Sequence, residues 1–195
     1  MKVLGIYGSP RKGGNSDKLL DEALKGAESE GAEVSSVRAS DLKMSGCLEC
    51  GGCNETGTCV VDDEMQSIYP RLEEADAIIL ATPMFFYGMP SQAKALIDRC
   101  QAQWSKRMLN KTPEQRKKYD GGRGYLIAVG ATKGKTLFDG AELVVKYFFD
   151  AIDMSYERGV FVRSVEGKGD IAKQPDALTQ AYDLGKKAAT AQTDN

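Results

Sequence analysis

Short apolar runs alternate with helix-patterned segments five times along this chain, and that alternation restricts the fold more than any other feature. The runs are Lys2–Tyr7, Glu33–Arg38, Ala77–Thr82, Gly124–Gly130 and Tyr156–Val165. The third (AIILAT) and fourth (GYLIAVG) carry no charge, so each should be covered on both faces, as strands of a parallel sheet are. The second is weaker, because only Val34 and Val37 are apolar.

The intervening segments read as helices. Leu19, Leu20, Ala23, Leu24 and Ala27 recur at helical spacing, and Gly31 marks a stop. Asp62, Asp63 and Glu64 suit the N-terminal end of a helix running to about Glu74, where negative charge opposes the positive end of the dipole. From Pro90 onward Ala93, Leu96, Ile97, Cys100 and Trp104 share one face, and Ser105–Gly122 reads as a polar excursion. Leu137, Phe138, Ala141, Val144, Val145, Phe148, Phe149 and Ile152 form a wide stripe, and a last helix starts near Pro175. The expectation is a doubly wound parallel α/β sheet. At 195 residues a single domain spanning 1–195 is expected, interrupted by a cysteine-rich loop at about 45–61.

Cys47, Cys50, Cys53 and Cys59 fall in that loop as C-x2-C-x2-C-x5-C, and the remaining cysteine is Cys100. Thiolates this dense on a glycine-rich segment can converge on an iron–sulfur cluster. Structural zinc usually takes ligand pairs a dozen or more residues apart, often with His. Here three cysteines share seven residues and the chain has no His. A disulfide framework belongs to small secreted scaffolds, and MKVLGIYGSP shows no apolar run ahead of a cleavage site. A redox-active Cys47–Cys50 pair would leave Cys53 and Cys59 idle. Against the bacterial ferredoxin run, the last spacing is longer and no Pro follows, so one local cluster on all four thiolates fits better. The missing His also removes any His base, triad or haem ligand.

GSPRKGGNS (Gly8–Ser16) joins the first strand to the first helix, where backbone N–H groups and a helix N-terminus make an anion site. Ser9, Asn15 and Ser16 add donors and Arg11 a cation. Gly14 stands where a Walker A loop needs Lys, and G-x-G-x-x-G is absent. Donors gathered on one terminal phosphate suit a mononucleotide such as FMN, whereas helix capping alone would account for Asn15 or Ser16 only. In flavodoxin-like sheets of order 2-1-3-4-5 the ligand lies at the carboxyl ends of strands 1 and 3. There TPMFFYGMP places Pro83, Met84, Phe85, Phe86, Tyr87 and Gly88, able to cover a flat ring, although at least one of Phe85 and Phe86 should be core or interface. The loop after the fourth strand, with Thr132, should border the same crevice.

The GSPRKGGNS loop, the stretch DDEMQSIYPRLEEADAIILATPMFFYGMPSQAKALIDR and the cysteines between them resemble the NADPH-dependent FMN reductase-like superfamily, and within it the iron–sulfur flavoproteins. The resemblance runs from about Met1 to Arg99 and more loosely to about Ile152. It implies a flavodoxin-like fold, bound FMN, a [4Fe–4S] cluster on Cys47, Cys50, Cys53 and Cys59, and dimers or dimers of dimers. It implies that Ser9, Arg11, Asn15 and Ser16 hold the FMN phosphate and that Pro83 to Gly88 contact the isoalloxazine and ribityl. Ferredoxin is the electron donor it implies. Cluster-free relatives with cysteines in this region leave a second reading, an NAD(P)H-dependent FMN or quinone reductase. A flavin- or metal-binding regulatory module is a third.

Lys plus Arg number 26 and Asp plus Glu 28, a balance that gives no footprint for nucleic acid. No apolar stretch reaches a membrane span, so a cytoplasmic protein with reduced thiols is expected. Cys100, on an apolar face, reads as a buried structural thiol, and Trp104 as core or interface. The charged run Lys106–Lys118 reads as a solvated face. Asp41 is a weak candidate for a ribose-binding acid without the glycine fingerprint.

Overall fold

The computed structural model describes residues 1–190. Five parallel strands are ordered β2-β1-β3-β4-β5, as a flavodoxin-like sheet requires. They are β1 (Lys2–Tyr7), β2 (Glu33–Arg38), β3 (Ala77–Pro83), β4 (Arg123–Val129) and β5 (Ser155–Val162). Successive residues alternate between two cores, because strand side chains point to opposite faces. Ile78, Leu80, Leu126 and Ala128 enter one core; Ile79, Ala81, Tyr125 and Ile127 enter the other. Every residue of β4 is buried.

Helices α1 (Asn15–Ser29) and α6 (Pro175–Ala189) close the second core. They touch backbone to backbone. A Cβ on Gly26 would lie 2.0 Å from the Tyr182 carbonyl oxygen, and one on Gly185 would lie 1.7 Å from that of Ala23. The first core is covered by α2 (Tyr69–Glu74), α3 (Ser91–Arg99), α4 (Gln101–Asn110) and α5 (Asp139–Ala151).

Two helices differ from the sequence reading. The segment after the cysteines splits into a 3-10 turn at Glu64–Ser67 and the short α2, with Asp63 capping the turn by accepting from the Met65 amide. Pro70 explains the split, since it is tolerated only in the first turn of a helix. The helix after Pro90 breaks at Cys100, whose φ of −73° and ψ of 4° end α3 and start α4. The Ser105–Gly122 excursion is therefore shorter than expected, because α4 runs on to Asn110. Trp104 then sits on α4, 40% exposed beside Leu143 and Tyr147 of α5. Among the described residues, no helix is long and apolar enough to cross a membrane.

Candidate functional site

The sheet order reverses between β1 and β3, and the chain leaves both strands at the same edge. The Gly8 amide donates to the Ala81 carbonyl at 2.7 Å, which ties the first loop to β3. Above that tie lies a crevice of about 140 Å³ lined by Ser9, Arg11, Gly14, Asn15 and Ser16 on one side and Pro83, Met84 and Phe85 on the other. Val129, Ala131, Val165 and Glu166 complete it.

The donor set suits a phosphate. Helix α1 begins at Asn15, and Gly14 at its N-cap offers no side-chain cap, so the amides of its first turn are free for an outside acceptor. Ser9 and Ser16 are buried and Arg11 is exposed at the rim. Asn15 has a different task. Its side-chain amide donates to the Gly167 carbonyl at 2.8 Å, and its oxygen accepts from the Gly169 amide at 3.0 Å, fastening α1 to the loop after β5. Phe86, Tyr87, Gly88 and Thr132 are not in the crevice wall.

Phe86 and Tyr87 form instead the centre of a tight turn. Phe85 and Gly88 exchange backbone hydrogen bonds of 2.8 and 2.9 Å, and the two residues between them have φ of 51° and 61°. Asn and Gly normally occupy such a turn, because bulky residues are strained there. The Tyr87 ring lies against Gly134, where a Cβ would come within 2.4 Å of its hydroxyl oxygen, and Phe86 is fully exposed.

The cysteine segment lies between β2 and α2. Cys47, Cys50, Cys53 and Cys59 all line one cavity of about 570 Å³, floored by Arg99 and Ala102 where α3 meets α4. Among the described residues, no three Cys, Asp, Glu or His side chains stand close enough together to grip a metal ion. The sulfurs thus share a cavity without meeting at one point. Cys47 and Cys50 are exposed, while Cys53 and Cys59 are half-buried. Gly57 needs the left-handed backbone (φ 69°) that glycine adopts without strain, and it packs against Lys106 of α4.

The electrostatics of this cavity favour anionic sulfur. Arg99 is only 1% exposed, yet it carries its charge beside Cys59. It donates to Asp63 at 2.6 Å and to the Ser45 carbonyl at 3.1 Å, while its Nε has no partner. Burial works to raise the Cys59 thiol, but the Val61 amide, the Tyr69 hydroxyl and Arg99 outweigh it and leave its pKa lowered. Cys53 accepts from the Ser105 hydroxyl at 3.6 Å. A thiolate-ligated cluster fits this donor set, since its negative charge would meet a buried cation with a vacant donor. Cys100 is fully buried, donates to the Leu96 carbonyl at 3.5 Å and has its pKa raised by burial, the behaviour of a structural thiol.

Sequence reading missed Arg38, Asp17 and Arg99. Arg38 and Asp17 reach behind the crevice loop from β2 and α1, and Arg99 reaches beneath the cysteines. Asp17 lies one residue past the quoted motif, and a charged residue on an otherwise apolar helix face, as at Arg99, was the available signal.

The family described as NADPH-dependent FMN reductase matches residues 1–153. An iron–sulfur flavoprotein of Archaeoglobus fulgidus is 46% identical over 99 residues, covering 51% of this chain and 45% of that protein. The aligned segment therefore spans about half the length of that relative. An iron–sulfur flavoprotein of Methanocaldococcus jannaschii is 34% identical over 151 residues, covering 77% of this chain and 70% of its own length. The solved NAD(P)H:quinone oxidoreductase of Methanothermobacter marburgensis shares the fold with a TM-score of 0.68, at 12% identity, over 100% of this chain and 98% of that one. The chain belongs to the NADPH-dependent FMN reductase family, and its similarity within that family is to the iron–sulfur flavoproteins.

Proposed function

We propose that this chain is an electron-transfer flavoprotein that binds FMN in the crevice between β1 and β3 and a [4Fe–4S] cluster on Cys47, Cys50, Cys53 and Cys59. When bound, FMN supplies one- and two-electron chemistry and a cluster supplies one-electron chemistry, so the pair can link a one-electron carrier such as ferredoxin to a two-electron acceptor. The observation that carries this reading is the gathering of all four thiols around one cavity over the buried Arg99.

The protein's own part is to bind and orient. Ser9, Ser16, Arg11 and the first-turn amides of α1 would hold the phosphate, while Asn15 secures the helix that presents those amides. Pro83, Met84 and Phe85 form the facing wall. No side chain in the crevice needs to move a proton, in keeping with a chain that has no His. The exposed Trp104, Leu143 and Tyr147 support a homodimer or homotetramer, since clustered exposed apolar side chains mark association surfaces. The thiols call for a reducing, cytoplasmic setting.

A second reading, an NAD(P)H-dependent FMN or quinone reductase without a working cluster, draws on the sulfurs' failure to converge. It draws also on a Bacillus subtilis relative described as a putative NAD(P)H-dependent FMN-containing oxidoreductase, 28% identical over 96% of this chain and 98% of that protein. Anaerobic purification separates the two. The first predicts brown protein with iron, acid-labile sulfide and extractable FMN, whose flavin is bleached by a reduced ferredoxin-type carrier. Yellow protein free of iron and bleached rapidly by NAD(P)H alone would sink it in favour of the second.

A further inference from the structure

Behind the crevice loop lies a charged pair that is not itself part of the crevice wall. Arg38, the last residue of β2, donates from one guanidinium nitrogen to the Ser9 carbonyl at 3.0 Å. Its other terminal nitrogen donates to the Asp17 carboxylate at 2.7 Å. That same carboxylate oxygen accepts from the Gly13 amide at 2.8 Å. Both ends of the loop are thus held by one guanidinium, the near end directly and the far end through Asp17. The side chains are 14% and 3% exposed. The guanidinium is stacked 4.5 Å from the Tyr7 ring, whose hydroxyl donates to Asp21 at 2.6 Å.

The charges matter as much as the tethers. Asp17 lies in the first turn of α1, where a carboxylate favours the helix but repels any phosphate placed at the same N-terminus. One of its oxygens is buried without a partner, and the other has the Gly13 amide as its sole donor besides Arg38, so its charge is little dispersed. Arg38 is its one ion-pair partner among the described residues. Removing the arginine would release the loop and also leave an uncompensated negative charge below the anion site. Lys could replace the charge but not the two-way fork.

We infer that Arg38 and Asp17 are positioning residues that buckle the loop over residues 8–14 into a receptor for a terminal phosphomonoester, acting through the loop amides without touching the ligand. This rests on the FMN reading above and adds to it a determinant of phosphate selectivity. Riboflavin has the same ring and ribityl chain but lacks the phosphate, so it isolates that determinant.

The test is titration of the purified full chain with FMN and, separately, with riboflavin, followed by flavin fluorescence. For Arg38→Ala, FMN affinity should fall about tenfold or more, as for loss of a charge-assisted hydrogen bond, while riboflavin affinity changes less than about twofold. Arg38→Lys should recover only part of the loss. Arg38→Ala combined with Asp17→Asn should bind FMN better than Arg38→Ala alone, because the unpaired charge is gone. Asp17→Asn, nearly isosteric, keeps the test readable should Arg38→Ala fail to fold: it weakens the Gly13 tether while removing the repelling charge, so FMN affinity should change less than in Arg38→Ala and riboflavin affinity not at all, and an equal change for both flavins overturns the inference. Equal losses for both flavins, or unchanged FMN affinity in folded Arg38→Ala, overturn the inference. Wild-type protein that binds riboflavin as tightly as FMN overturns it as well. Wild-type protein that binds neither flavin overturns the FMN reading and the inference with it.

Discussion

Cys53 takes a hydrogen bond from Ser105 and packs against the core, whereas Cys47 and Cys50 are open to solvent. The four thiols therefore differ in how firmly the fold holds them, and Cys53 is among the anchored ones. Cys53→Ser should strip iron and acid-labile sulfide from anaerobically prepared protein and leave flavin content unchanged, because no cysteine lines the phosphate crevice. Iron unchanged by the replacement excludes a four-thiolate site. The spacing of these cysteines was plain in the sequence, and so was their glycine-rich setting. What the sequence could not show was that the packing of α3 brings Arg99, some forty residues on, beneath them. Nor could it show that Asn15 turns away to the loop after β5, since Asn in a first turn reads equally as cap or ligand.

At the scale of elements, periodicity located every strand to within a few residues, because the buried central strands carry little but apolar side chains. It erred where one pattern spans two helices. Ala93, Leu96, Ile97 and Cys100 keep helical phase up to the break at Cys100, and hydrophobic spacing does not register a change in backbone direction. The α1–α6 contact was equally hidden. Glycine inside a helix reads as a weakness of about 1 kcal/mol relative to Ala, yet Gly26 and Gly185 are what let the two backbones meet. Gly185→Ala should therefore destabilise the protein by about 1–3 kcal/mol, the range for overpacking, although Ala is the better helix former. Urea unfolding followed by circular dichroism measures this; a stability gain would mean that the helices separate without penalty.

For the whole molecule, the Asp63–Arg99 bond between the segment after the cysteines and the α3–α4 junction contributes to acid stability. Burial works to raise the Asp63 carboxyl, but Arg99 and the amides of Ser45 and Met65 more than offset it and hold its pKa below the ordinary value. A group whose pKa is lower folded than unfolded stabilises the fold above its unfolded value, about 3.9 for Asp, and the contribution fades as pH falls through the folded value. The melting temperature of wild-type protein should thus drop more steeply below about pH 4 than that of Asp63→Asn; parallel slopes would remove Asp63 from the acid transition. The crest at Phe86 and Tyr87 has a different bearing on the molecule. Residues forced into such a conformation each cost about 1–3 kcal/mol. Exchanging the pair for Asn-Gly would relieve that strain and remove two aromatic rings that stand outside the crevice wall. Selection for heat tolerance alone would be expected to erase the two aromatic residues at that turn.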